Sequence, residues 1–263
     1  MTAPPRRVAL ITGSSGGLGY AIAEGLAAAG YDIVLHGIEE VGQVETARSA
    51  LESRHHGPKV VYCQADLSEL TGVERLMAFA REACGDPDIV VNNAVVRHFA
   101  PVEQFLAADW QKALAVNLTA PLYIIQRALP AMRAKNFGRI VNLTSHYGQR
   151  GALNRIDYVT TKTGIRGLTR AVAMETVGTG ITCNAVSPAT LPTPAIMSRI
   201  DAIASSRGIS QQEATREYMK ERQPSGRFVL MEDVAAMVAF LCGPAGRDIT
   251  GTIVPIDGGW SVT

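Results

Sequence analysis

Tyr158 and Lys162 stand four residues apart in Asp157-Tyr-Val-Thr-Thr-Lys162, and Ser145 lies upstream of both. Four residues is one helical turn plus a little, so the phenol and the ammonium project from the same face. That pairing is suited to acid–base work. A free tyrosine titrates near ~10, and a neighbouring cation favours its phenolate. Lowering it by about two to three units takes roughly 3–4 kcal/mol of differential stabilisation. A close lysine and the field of a bound cationic ring can supply that. Two surface neighbours on a helix have the same spacing, so the rest of the chain has to decide.

The elements that would position these groups alternate regularly. Val8 to Thr12 is a short apolar run that breaks into Gly13-Ser-Ser-Gly-Gly-Leu-Gly19, followed by a helical pattern ending at Gly30. Strand, glycine turn and helix form a phosphate cradle, with backbone N–H groups and the helix dipole facing the anion. Asp32 to Gly37 reads as the second strand. The residue ending it normally meets the adenine ribose, and His36-Gly37-Ile38 offers neither an acid nor a base there. With no arginine or lysine to pair a 2′-phosphate, NAD is favoured over NADP, and His36 reads as a surface-loop histidine.

A helix from about Glu40 to Arg54 ends at Gly57-Pro58, and Val60 to Ala65 is the third strand. Asp66, which follows, either accepts from an adenine amino group or caps the helix beginning near Glu69. Asp88 to Val91 is a fourth strand running into Asn92-Asn93-Ala94, whose amides either tie strands together or touch ligand. The helical pattern from Asp109 to Lys135 contains a polar residue, Asn117, on an apolar stripe, with Pro121 four residues later. Proline cannot donate to the Asn117 carbonyl and should kink the helix. The freed carbonyl would then hold an ordered water.

Arg139 to Ser145 is a fifth strand, with Ser145 at its carboxyl end, where ligands bind in open α/β sheets. The helix bearing Tyr158 and Lys162 runs to about Val177, and Gly164, Gly167, Ala171 and Ala173 on it predict close packing against another helix, within the chain or across subunits. Ile181 to Val186 is the sixth strand. The segment 190–227 is polar, with two short helical patterns, and has the make-up of a substrate lid. A helix from Met231 to Cys242 and a strand from Thr252 to Ile256 complete the chain. The expectation is one α/β domain over 1–263, a doubly wound, Rossmann-type seven-stranded parallel sheet with helices on both faces.

Composition bounds the function. Of 263 residues 47% are apolar and 19% charged, with a net charge of +1, which argues against a nucleic-acid or membrane-surface protein. Apolar runs are of strand length, well short of the ~20 residues that span a bilayer. The opening Met-Thr-Ala-Pro-Pro-Arg-Arg lacks the apolar core of a signal peptide. Cys63, Cys84, Cys183 and Cys242 have no C-x-x-C spacing and read as reduced, buried thiols of a cytoplasmic protein. No metal-ligand cluster is expected.

Taken together, Thr12-Gly13-x-x-x-Gly17-x-Gly19, Asp66-Leu67, Asn92-Asn93-Ala94, Asn117, Ser145, Tyr158-x-x-x-Lys162, Pro188 and Thr193 resemble the short-chain dehydrogenase/reductase family in order and spacing over the whole chain. The resemblance implies a catalytic tetrad of Asn117, Ser145, Tyr158 and Lys162. Tyr158 would transfer the hydroxyl proton, Ser145 bond the substrate oxygen, Lys162 hold the nicotinamide ribose, and Asn117 anchor a water. It also implies dinucleotide contacts at Gly13, Ser15, Gly17, Leu18, Gly19, Asp66, Leu67, Asn93, Ala94, Pro188, Leu191 and Thr193. The reaction would be reversible hydride transfer between a secondary alcohol or ketone and a nicotinamide cofactor. Val95 and Ala189 stand where the family has glycine.

A narrower resemblance is to bacterial D-3-hydroxybutyrate dehydrogenases, through Asp32-Ile-Val-Leu-His-Gly37, Phe137-Gly-Arg-Ile140, Glu221-Arg-Gln-Pro-Ser225, Phe228-Val229, Ile249-Thr-Gly-Thr252 and Asp257-Gly-Gly-Trp260. It implies NAD and a homotetramer. In the set that would hold the substrate carboxylate, Arg97 replaces glutamine, Tyr147 histidine, Arg155 lysine and Arg199 glutamine. With Ser145 and Tyr158 these would form the substrate site. Three guanidinium groups exceed the need of one carboxylate, so the expected substrate is a hydroxy or keto acid with a larger or more charged anionic head. The alternative is that one or two of these arginines point to solvent or pair with Glu and Asp of the lid. His98 and His146 read either as packing groups or as groups that support the site from behind. Two other readings are a general ketone or 3-ketoacyl reductase of the same family and a non-catalytic dinucleotide-binding sensor.

Overall fold

The computed structural model describes residues 6–55, 57–220 and 222–262. Glu221, one of the residues quoted above, and positions 1–5 lie outside that set. Seven strands form one parallel sheet: β1 (Val8–Ile11), β2 (Asp32–Gly37), β3 (Val60–Gln64), β4 (Ile89–Asn92), β5 (Gly138–Leu143), β6 (Ile181–Pro188) and β7 (Ile253–Ile256). Their order is β3-β2-β1-β4-β5-β6-β7, all pairings parallel. The order reverses between β1 and β4, and the carboxyl ends of the strands open a crevice there.

Alternation of side chains builds two cores from one sheet. Ala9, Ile11, Ile33, Leu35, Ile89 and Val91 face one side, against Ile22 and Leu26 of α1 (Gly17–Ala28), Val44 and Leu51 of α2 (Val41–His55), and Val234 and Val238 of α9 (Met231–Cys242). Val8, Leu10, Val34, Val90 and Ile140 face the other, against Leu76 of α3 (Leu70–Ala83), Ile124 and Ile125 of α5 (Ala120–Lys135) and Val172 of α6 (Ile156–Thr176). This is the doubly wound domain that the alternating pattern implies.

The pattern read as one helix from Asp109 to Lys135 is divided. An α-helix, α4 (Ala107–Leu114), passes through a π-helical turn, Ala115–Thr119, into α5. The Ala120 N–H reaches back five residues to the Ala115 carbonyl. Pro121, at the start of α5, has no N–H for the Asn117 carbonyl, so the helix widens where the proline removes a donor. On α6, a Cβ at Gly164 would come within 3.0 Å of Leu118, so this glycine lets α6 approach the π turn, whereas Gly167 faces open space. Beyond β6 the chain makes two helices outside the sheet, α7 (Pro194–Arg207) and α8 (Gln211–Lys220), which pack on each other. Cys63, Cys183 and Cys242 are buried, Cys84 is half-buried, and all four are free thiols. Among the described residues no helix is long and apolar enough to cross a membrane, and no metal-ligand cluster occurs.

Candidate active site

The glycine turn after β1 is held from two sides. Thr12 Oγ1 accepts the N–H groups of Asn93 and Ala94, both at 3.0 Å, and the Asn93 amide donates to the carbonyls of Thr12 and Gly13 at 3.0 and 2.8 Å. From β2, His36 Nδ1 accepts the Gly13 N–H at 3.0 Å while Nε2 donates to the Ala65 carbonyl at 2.9 Å. His36 is therefore not a surface-loop histidine. It is 2% exposed, and burial pushes its pKa down to about 4. A β-strand places alternate side chains on opposite faces, so the residue before Gly37 was bound to point inward wherever the β2 face is packed.

Gly13 has φ +61°, and a Cβ there would meet the Ala94 Cα at 2.8 Å. A Cβ on Gly19 would collide with the Gly13 carbonyl oxygen, so only glycine permits this approach. A Cβ on Gly16 would meet nothing within 4 Å, and Gly16 makes no side-chain cap at the start of α1. The first turn of α1, Gly17 to Gly19, lines the cavity described below, and a helix N-terminus of this kind suits a pyrophosphate. The residues present fit a dinucleotide.

Asp66 does not cap α3, whose N-terminal residue Glu69 has no side-chain cap. Asp66 Oδ1 accepts the Ser68 N–H at 2.9 Å, and that bond holds its carboxyl below the usual range. Asn92 donates to Asn142 Oδ1 at 2.8 Å, linking β4 to β5, and Asn93 fastens the glycine turn. Both amides tie strands together. Neither Val95 nor Ala189 has positive φ, so the two departures from glycine sit in ordinary backbone.

The cavity between these elements and α6–α8 has a volume of about 930 Å³. Every residue assigned above to dinucleotide or substrate contact lines it; of the tetrad, Ser145, Tyr158 and Lys162 line it and Asn117 does not. The Asn117 side chain is spent elsewhere. Its oxygen accepts the Val96 N–H at 2.9 Å, and its amide donates to the Val96 carbonyl at 3.0 Å and to Thr161 Oγ1 at 3.2 Å. β5 ends at Leu143, two residues before Ser145, which caps the short turn His146–Gly148 by accepting the Tyr147 N–H at 3.3 Å. Lys162 donates to the Leu143 carbonyl at 2.6 Å, its Nζ 5.8 Å from the centre of the Tyr158 ring. Burial, with Arg97 adding to it, pushes the Lys162 ammonium down to about 7. His146 is buried against Tyr147 and Trp260, a packing group.

The three arginines come together. Arg155 stacks on Phe99 at 4.1 Å and lies 5.8 Å from the Tyr147 ring and 5.7 Å from that of Tyr158. Arg97 lies 5.7 Å from the Tyr158 ring, and Arg199, reaching over from α7, 5.6 Å from Phe99. Burial pulls the half-buried Arg155 down from its ordinary range, and the charges of Arg97 and Arg199 act in the same direction. Arg97 and Arg199 are exposed at the cavity mouth. None of the three has an acidic partner among the described residues. The sequence reading missed Phe99 and Arg222, which also line the cavity; Arg222 stacks on Tyr218 at 4.2 Å. It missed Glu39 as well. The Glu39 carboxylate folds back over Gly37 beside Ser15, while its carbonyl accepts from Tyr62 at 2.7 Å.

The family model described as enoyl-(acyl carrier protein) reductase matches residues 13–261. The chain belongs to the short-chain dehydrogenase/reductase family. It is 38% identical over 254 residues to a D-beta-hydroxybutyrate dehydrogenase of Cupriavidus necator, covering 97% of each chain, and 36% identical to one from Rhizobium meliloti, covering 97% of this chain and 98% of that one. Its fold is similar to that of a levodione reductase crystal structure, with TM-score 0.86 and 32% identity over 99% of this chain and 100% of that one. An L-sorbose reductase from Gluconobacter frateurii, complexed with NADPH and L-sorbose, gives TM-score 0.91 at 27% identity over 98% of both chains. As a family member, the chain is an NAD(P)-dependent oxidoreductase interconverting alcohols and ketones.

Proposed function

We propose that this enzyme interconverts a small anionic 3-hydroxy acid and its keto acid, with a head larger or more charged than that of 3-hydroxybutyrate, using NAD. The observation that carries this reading is the group of three guanidiniums around Tyr158 and Phe99 with no acid among the described residues to neutralise them. Guanidinium forks match carboxylate, sulfonate or phosphate oxygens. The two hydroxybutyrate dehydrogenases among its relatives support the acid class.

The bound dinucleotide supplies the hydride acceptor or donor. Tyr158 takes the hydroxyl proton in oxidation and returns it in reduction, and Ser145 Oγ bonds the same substrate oxygen. Lys162, buried with its Nζ 5.8 Å from the centre of the Tyr158 ring, holds the nicotinamide ribose. The Asn117 carbonyl, with no donor from Pro121, anchors the proton-relay water. Residues 190–227, carrying Arg199 and Arg222, close over the substrate as a lid. For the cofactor, Glu39 adds the acid that His36-Gly37-Ile38 lacked: a carboxylate there accepts from a ribose 2′-hydroxyl and repels a 2′-phosphate.

A homotetramer is supported by apolar side chains left exposed on three helices, Leu122 of α5, Met174 of α6 and Phe240 of α9. A cytoplasmic location fits four free thiols. The exposure of Arg97 and Arg199 is what favours a 3-ketoacyl reductase instead. The test is reduction of NAD by the purified protein with D-3-hydroxybutyrate beside hydroxy acids bearing sulfonate, phosphate or a second carboxylate. Preferential turnover of a more anionic member is the expected result. Turnover confined to 3-hydroxyacyl thioesters, added to the same panel, would overturn the reading.

A further inference from the structure

Arg97 projects from a loop that is fastened on both sides. On one side Asn117 takes the N–H and the carbonyl of Val96. On the other, Asp157 Oδ2 accepts the His98 N–H at 3.0 Å and lies 3.0 Å from His98 Nδ1. The second oxygen of Asp157 accepts the Tyr158 N–H at 2.6 Å. Its backbone carbonyl accepts from Thr161 Oγ1, the same hydroxyl that receives the Asn117 amide. One carboxylate therefore joins the first turn of α6, beside Tyr158, to the loop that carries Arg97.

The burial of that carboxylate is the informative feature. An acid in the first turn of a helix ordinarily favours the helix dipole from the surface, where water still solvates it. Asp157 is 0% exposed, and a charge is tolerated there only if its oxygens are bonded. Those bonds span two elements. The far nitrogen of His98 is 3.5 Å from Asp109 on α4, a further tie on the same loop.

We propose that Asp157 is a positioning residue for anionic substrates: through His98 it fixes the loop that aims Arg97 at the Tyr158 ring. This rests on the anionic-substrate reading above. The test compares Arg97→Gln, Asp157→Ala and the double variant on D-3-hydroxybutyrate and on its uncharged methyl ester, with NAD binding followed by fluorescence. Asp157→Ala raises KM for the acid about tenfold, the scale of one bond to a charged group, while kcat/KM for the ester and the NAD affinity stay within about threefold. Arg97→Gln does the same, and the double variant loses no more than either alone. Asp157→Asn, which keeps one acceptor oxygen, gives an intermediate loss and replaces Asp157→Ala throughout if the latter does not fold. Equal losses on acid and ester, or losses that multiply in the double variant, would show a merely structural role and overturn the proposal. If Arg97→Gln leaves the acid-to-ester ratio unchanged, the anionic reading fails and this proposal with it. A ratio that falls in Arg97→Gln but not in Asp157→Ala sinks the positioning role alone.

Discussion

At the dinucleotide end of the cavity the polar groups are bonded to one another; at the substrate end the charged groups wait for a partner. Thr12, His36 and Asn93 spend their donors and acceptors on the glycine turn. Arg97, Arg155 and Arg199 rest on aromatic faces with no acid among the described residues to neutralise them. The contrast separates shape from recognition. A backbone cradle works by geometry, so its polar side chains are consumed in holding it. A site for a charged head works by unneutralised charge, which stays available only if nothing in the protein satisfies it.

The largest expected effect lies where the two ends meet. Tyr158→Phe removes the proton carrier without touching the cradle, so kcat falls about 10³-fold, within the usual range for general acid–base catalysis, with NAD affinity unchanged. Steady-state kinetics and a binding titration check this together.

A second effect concerns the cradle alone. The folded-state pKa of His36, about 4, lies below its ordinary value near ~6.5, so the unfolded chain binds the extra proton first. Stability is full above that ordinary value and falls as pH drops toward 4. The loss over that window is about 3 kcal/mol. Thermal melts of the wild type and of His36→Asn from pH 7 to 4 should show a clear slope in the first and a shallower one in the second.

Gly19→Ala forces a Cβ against the Gly13 carbonyl, costing about 1–3 kcal/mol. Its signature is weaker NAD binding and a lower Tm, with the acid-to-ester preference kept. The smallest effect is at the ribose. Glu39→Gln should narrow the preference for NAD over NADP by about tenfold, one charge's worth of discrimination, read from kcat/KM with each cofactor.

The order of elements was legible because each obeys a local rule. Asp32–Gly37 and Met231–Cys242 occur with the bounds that their patterns imply. The spacing of Tyr158 and Lys162 was legible for the same reason, since both fall on one helix and a turn brings them onto one face. His36 was misread because a histidine at a strand end looks solvated until the neighbouring strand ends, at Gly13 and Ala65, are known to meet it. Glu39 escaped because the bend after β2 returns its carboxylate to a place that counting along the strand assigns to His36–Ile38. The pattern showed Asn117 as a polar residue on an apolar stripe, and the resemblance gave it a water, but neither gave its side-chain bonds. Its partners, Val96 and Thr161, are distant in sequence, so their hydrogen bonds leave no periodic trace.

The central claim is that the unneutralised arginines select an anion. Its most direct test is the ratio of kcat/KM for an anionic hydroxy acid over its uncharged ester, in the wild type and in the triple variant Arg97→Gln, Arg155→Gln, Arg199→Gln. A ratio that falls about 100-fold or more, with the ester rate kept, is the predicted result, each lost charged bond contributing about tenfold or less. A ratio that stays put would mean that the three guanidiniums play no part in recognising substrate.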